Sequence, residues 1–252
     1  MIYCYLVTAL VLGININILK PAYWKSYVFS VYPSYYEDIS VLTSNQVLDF
    51  DTNYTDTKRM IISIKDRIGS RPISEDSLSN IFTILLVNKL IPYWLGTPWS
   101  FEGHNSVPRQ GDIACGYFVS TTLKDIGFNL NRYKLAQQLP IIEAKSLNLG
   151  KPILEINNSF ASERIEILKE CLKEGIYFIG FDQSHVGYIR KKNGDLFVIH
   201  SNYIGNKGVV IEEIETSVVF SYYHRIYVAE ISTNQELLKK WLHNEVIDVM
   251  TE

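Results

Sequence analysis

Cysteine is scarce in this sequence. Cys4, Cys115 and Cys171 are the only three, odd in number and widely spaced, so no disulfide framework is written into the chain. No two of them stand at the short spacing of metal ligands. Cys171 falls inside a helical run and is expected in the core. A dominant charge of either sign is missing too: 24 basic residues against 27 acidic ones leave a net charge of −3. That removes the electrostatic case for nucleic acid as a partner. Internal repeats and low-complexity tracts are absent. What is there is a 47% apolar chain of 252 residues, globular in composition and long enough to bury a substantial core. Its 17 tyrosines and 4 tryptophans suit β-rich packing and grooves that take sugars or peptides.

Residues 2–19 form a nearly uncharged run, IYCYLVTALVLGININIL, just long enough to cross a bilayer as a helix. It resembles a secretory signal, but no Lys or Arg precedes the apolar part and no small-x-small cleavage site follows. Cys4 stands too early to be a lipid-modified cysteine. Lys20 and Lys25 favour a cytoplasmic side after the run. Anchor, export signal and buried N-terminal element all stay open, and the run gives a route to membrane association. The aromatic stretch that follows, Tyr23 to Tyr36, fits a membrane interface or a packed lid.

Beyond a polar stretch at 39–52, apolar periodicity predicts helices over 56–68 (Met60, Ile61, Ile64, Ile68) and 74–90, the second stopped by Pro92. Residues 91–110 read as a long ordered loop, and loops of that length inside a domain are usually functional. After a helix at 115–126 come a short helix at 131–138 and a mixed, loop-like stretch at 139–158. A helix at 162–174 is closed by Gly175. Strands are expected at 176–181, 209–213 and 225–231, and a last helix at 235–246. Helices first and antiparallel strands later point to an α+β layout.

Two stretches carry chemistry. In Gly111-Asp-Ile-Ala-Cys-Gly-Tyr-Phe-Val-Ser-Thr-Thr-Leu-Lys-Asp-Ile-Gly127, Gly111 and Asp112 break what precedes and Gly127 ends a helix in the left-handed conformation. Cys115 then sits in the first turn, where the dipole and open N–H groups favour thiolate. An ordinary core cysteine is the plain alternative. The second stretch holds Asn193-Gly194 between two β-rich runs, a strong hairpin signal. A two-residue turn sets Lys192 opposite Asp195, Gly187 opposite His200 and His185 opposite Asn202. Alternation then projects His185, His200 and Asn202 from one sheet face. A base with an orienting partner is what activation of a thiol needs. His104 is nearer in sequence to Cys115 but lies in the loop.

With both stretches in view the chain resembles the NlpC-type cysteine peptidases of bacterial cell walls, a branch of the papain-like superfamily. Asp112-Ile-Ala-Cys-Gly-Tyr-Phe-Val119 matches the family's Asp-Cys-Ser-Gly-Leu-Val, His185-Val-Gly-Tyr-Ile189 its His-Val-Gly-Ile-Tyr, and Phe197-Val-Ile-His-Ser201 its Phe-Ile-His-Ala-Ser. Tyr93-Trp-Leu-Gly-Thr97 is similar to its Tyr-x-Trp-Gly-Gly. The likeness covers roughly residues 90–205. It departs at the cysteine, where two residues stand between Asp112 and Cys115 and Gly116 replaces serine.

The resemblance implies a papain-like α+β fold, with a cysteine-bearing helix packed on a small antiparallel sheet. Residues 1–36 would be signal or anchor, 37–90 a helical elaboration, 91–232 the catalytic core and 233–252 a C-terminal helix. It implies thiolate attack by Cys115 on an amide carbonyl, with His185 as base and acid and His200 or Asn202 fixing its tautomer. The Cys115 N–H, with Tyr93 or Gln110, would hold the oxyanion. The substrate would be a peptidoglycan stem peptide, in the cell envelope or outside it, with no cofactor and no metal. Oligomeric state is not legible. An amidase or acyltransferase on another amide or ester stays open, although the permuted acyltransferases place histidine before cysteine. A catalytically silent papain-like binding domain stays open as well. A metal site from Cys115, His185 and His200 lacks a close ligand pair.

Overall fold

Six antiparallel strands in the order β1-β6-β2-β3-β4-β5 form the centre of the computed structural model, which describes residues 53–182 and 184–251. The strands are β1 (Leu154–Asn157), β2 (Gly175–Phe181), β3 (His185–Lys192), β4 (Asp195–Asn202), β5 (Gly208–Glu213) and β6 (Arg225–Glu230). The expected hairpin is present in the expected register, with Lys192 opposite Asp195 and Tyr188 opposite Ile199. Asn193 and Gly194 both take positive φ, 55° and 88°, as a two-residue turn between right-twisted strands requires. The Glu174 carboxylate accepts from both turn N–H groups at 2.8 and 3.0 Å. The chain is thus α+β with a six-stranded antiparallel sheet.

Each sheet face is covered. On one side, Ile165 and Leu168 of a helix at Ala161–Cys171 join Tyr177, Ile179, Ile189 and Val198 in a single apolar cluster. On the other lies the cysteine helix, Cys115–Asp125. Its Phe118 ring stands 6.0 Å from that of Tyr188. The Tyr188 hydroxyl donates to the Val119 carbonyl at 3.1 Å and shares a 2.8 Å bond with Thr122 Oγ1. Gly127 closes this helix at φ 104°, and the Phe128 N–H reaches the Leu123 carbonyl at 3.1 Å, the six-to-one bond of a glycine-terminated helix.

Several expectations are corrected. The stretch at 139–158 is not loop-like: it holds a helix, Pro140–Leu147, and the edge strand β1. That helix carries a buried glutamate, Glu143, which breaks the apolar periodicity by which helices are read. Pro92 does not stop the second helix. Glu75–Thr83 runs on through π-helical turns, Ile84–Leu90, into Ile91–Trp94. The Ile91 N–H bonds the Leu86 carbonyl, five residues back, and this wider spiral relieves the clash of a proline ring with the carbonyl four back. The helix at 161 ends at Cys171, which is exposed rather than in the core. Gly175 begins β2 instead of closing that helix. The last helix is shorter than expected, Gln235–Leu242.

A further helix, Tyr54–Gly69, buries Thr57, Ile61, Ile64 and Lys65 while Met60 faces outward. Trp241 joins the helical layer. Its ring meets Phe82 edge-on at 5.1 Å, and its indole N–H donates to the Ile126 carbonyl at 2.8 Å. Among the described residues no helix is long and apolar enough to cross a membrane. The expectations for residues 2–19, 21–36 and 39–52 lie outside the described residues.

Candidate active site

The segment leading to Cys115 is held from several sides. Gly96 and Thr97 extend the sheet beside β5, with 2.9 Å bonds to Val209 in both directions. The Ile113 N–H bonds Pro98, the Ala114 N–H bonds Gly103, and Ser201 of β4 donates to the Ile113 carbonyl at 2.7 Å. Buried Arg132 ties the carbonyl of His104, at 2.8 Å, to Thr121 of the cysteine helix. The backbone at Ala114 is extended, φ −74° and ψ 161°, and no side chain caps the helix there. The N–H groups of Cys115 and Gly116 in that first turn instead bear on the Cys115 thiol, which opens the helix among them.

Gly116 stands where the resembled family has serine, and the packing gives the reason. A Cβ at Gly116 would lie 2.7 Å from the Ala136 carbonyl oxygen, so the short helix at Arg132–Ala136 leaves no room for a side chain.

The Cys115 thiol, half-buried, lies at the backbone N–H of Val186, the residue after His185. Burial pushes the thiol up to about 11; the Val186 N–H opposes this, and the nearby Glu143 carboxyl adds to it. The thiol also acts electrostatically on the Tyr203 hydroxyl, and the Tyr203 ring stands 5.4 Å from the ring of His185. No hydrogen bond joins thiol and imidazole. His185 is almost fully buried, 1% exposed, and burial, with the neighbouring His200, holds its pKa well below the usual 6.5. Both shifts favour the uncharged forms, thiol and neutral imidazole, over an ion pair.

Behind His185 runs a line of polar groups. His185 Nε2 lies 2.7 Å from His200 Nδ1, and His200 Nε2 lies 3.0 Å from Glu212 Oε1. Glu212 Oε1 also accepts from Ser217 at 3.0 Å and from Asn202 Nδ2 at 3.4 Å, while Lys207 Nζ sits 3.0 Å from Oε2. These partners, the His200 hydrogen bond first, hold the Glu212 carboxyl down to about 2. Tyr223 lies parallel to the His185 ring at 6.5 Å. Its hydroxyl joins those of Tyr203, at 3.0 Å, and Ser184, at 2.9 Å.

Of the residues singled out from sequence, Cys115, His185, His200 and Asn202 come together. His200 is the one next to His185; Asn202 reaches Glu212, and its Oδ1 accepts from the Ile204 N–H at 2.7 Å. Tyr93 and Gln110 line another cleft, with Tyr54, Asp56, Arg59 and Arg109. The Tyr93 hydroxyl meets Thr57 Oγ1 at 2.8 Å. His104 is exposed, its Nδ1 on the Glu102 carbonyl at 2.8 Å. Glu212 and Glu143 were not found from sequence. In sequence comparison the chain matches no protein-family model and no curated protein.

Proposed function

We propose that the protein is a papain-like cysteine hydrolase that cleaves an amide bond, with Cys115 as nucleophile, His185 as general base and acid, and His200 as its orienting partner. What carries the reading is one observation: an unbroken imidazole–imidazole–carboxylate line, His185-His200-Glu212, starts on the residue before Val186, whose N–H meets the thiol of a cysteine in the first turn of a helix. A structural histidine pair needs neither a thiol one residue away nor a half-buried, ionised carboxylate behind it. Since the resting pair is neutral, His185 takes the thiol proton as sulfur attacks, rather than beforehand. The imidazolium that forms is compensated by the ionised Glu212 through His200. The proton then passes to the leaving amine, and water resolves the thioester by the same route. First-turn N–H groups of the cysteine helix are the donors for the oxyanion.

The resemblance to cell-wall peptidases makes a peptidoglycan stem peptide the substrate class, with the cell envelope as the place of action. The test is turnover of purified stem peptides by wild type, Cys115→Ala and His185→Ala. The hydrolase reading expects release of new amine ends by wild type alone. A second reading, a silent binding domain, draws on the thiol pushed up to about 11 and the absent thiol–imidazole bond. Peptide binding by wild type with no turnover, and equal binding by Cys115→Ala, would decide for it.

A further inference from the structure

We propose that Glu212 is a positioning residue that sets the direction of the protons along both imidazoles, so that His185 Nδ1 is left as the proton-accepting nitrogen. The assignment rests on the hydrolase reading for its purpose, but its geometry stands by itself. An ionised carboxylate only accepts. Glu212 Oε1, 3.0 Å from His200 Nε2, therefore requires the hydrogen on His200 Nε2. With a single hydrogen on its ring, His200 keeps the lone pair on Nδ1, which then accepts from His185 Nε2 across 2.7 Å. His185 in turn has its hydrogen on Nε2 and its lone pair on Nδ1. One acceptor at the end of the line thus determines the tautomer of a ring it does not touch.

The surroundings keep Glu212 an acceptor. Ser217 and Asn202 donate to the same oxygen, and Lys207 pairs with the other. Their chain positions differ: β4 supplies His200 and Asn202, β5 supplies Glu212, and Lys207 and Ser217 flank β5. Among the described residues, the other polar groups near the line are the hydroxyls of Tyr203 and Tyr223 beside His185, and Glu143, which acts electrostatically on Cys115. None of these is a carboxylate or amine in contact with His185 or His200.

The experiment is nitrogen NMR of histidine-labelled protein near neutral pH, read for wild type and Glu212→Leu, with Cys115 alkylation measured in parallel. Expected in wild type is a hydrogen on Nε2 and none on Nδ1 in both His185 and His200. In Glu212→Leu the share of His185 bearing Nδ1–H should rise to about half or more, and Cys115 alkylation should slow at least about tenfold. Wild type alone decides if the variant does not fold: an Nδ1 hydrogen on His185 overturns the assignment. Unchanged tautomers in a folded Glu212→Leu overturn it as well. The expected tautomers, together with Cys115 alkylation indifferent to His185→Ala, would sink the hydrolase reading and leave the Glu212 assignment standing.

Discussion

Single residues decide the electrostatics here, and the two carboxyls pull in opposite directions. Glu143 is buried, 2% exposed, and its Oε2 has no hydrogen-bond partner among the described residues. Burial raises its pKa well above the usual 4.5. A group raised in this way contributes stability that is complete below its unfolded pKa and lost as pH rises through the folded one. Glu143→Gln, a neutral shape match, should therefore raise the melting temperature at neutral pH, with the gain vanishing below about pH 4.5, where both states are protonated. A gain that persists into acid would contradict this. Glu212 is the mirror case. Held down to about 2, it contributes stability above its unfolded pKa that is lost as pH falls from near 4.5 through 2. Acid titration of Glu212→Gln should show a flatter stability profile across that window than wild type.

At the scale of elements, the hairpin was legible because turn chemistry and alternation leave no freedom. Asn193-Gly194 fixes the register, and the period of two fixes the face. Glu212 was not, although β5 itself was: its sequence ends in Glu212-Glu213, and alternation puts only one of them on the His200 face. No tight turn fixes the pairing of β5 with β4, which are joined through a 3₁₀ turn at Ile204–Asn206. The helix at Pro140–Leu147 was hidden by its own buried glutamate. Gly187 shows how little slack the hairpin has. A Cβ there would meet both the His200 Cβ and the Ile199 carbonyl oxygen at 2.8 Å. Gly187→Ala should push His200 out of line, destabilise the fold by about 1–3 kcal/mol from overpacking, and slow Cys115 alkylation. Urea melts alongside alkylation rates check it; an unchanged alkylation rate would show that His200 can shift without consequence.

Across the whole molecule, the cysteine helix joins the sheet to the helical layer, and the C-terminal helix ties that layer together. Trp241 is fully buried among Phe82, Lys65 and the end of the cysteine helix. Trp241→Ala should cost about 3–5 kcal/mol in urea unfolding, although it lies far along the chain from the site. A loss below 1 kcal/mol would place that helix outside the cooperative unit. The cysteine helix lies on the Val186 and Tyr188 face, whereas His185 and His200 project from the other face. The thiol meets β3 at the Val186 N–H, one residue along the chain from His185 and at the start of that strand. Sequence carried the order of these elements and most of the residues at their junction. It did not carry the burial that leaves both partners uncharged.

The most direct test of the account is the alkylation rate of Cys115 from pH 5 to 10, in a Cys4→Ser, Cys171→Ser background, with and without His185→Ala. If His185 acts as general base on a neutral thiol, the parent should react about a hundredfold faster near pH 7 than the His185→Ala protein, the two converging as pH approaches the thiol's own pKa of about 11. Coincident curves that climb together towards that value would mean a buried cysteine with no base, and would contradict the catalytic reading.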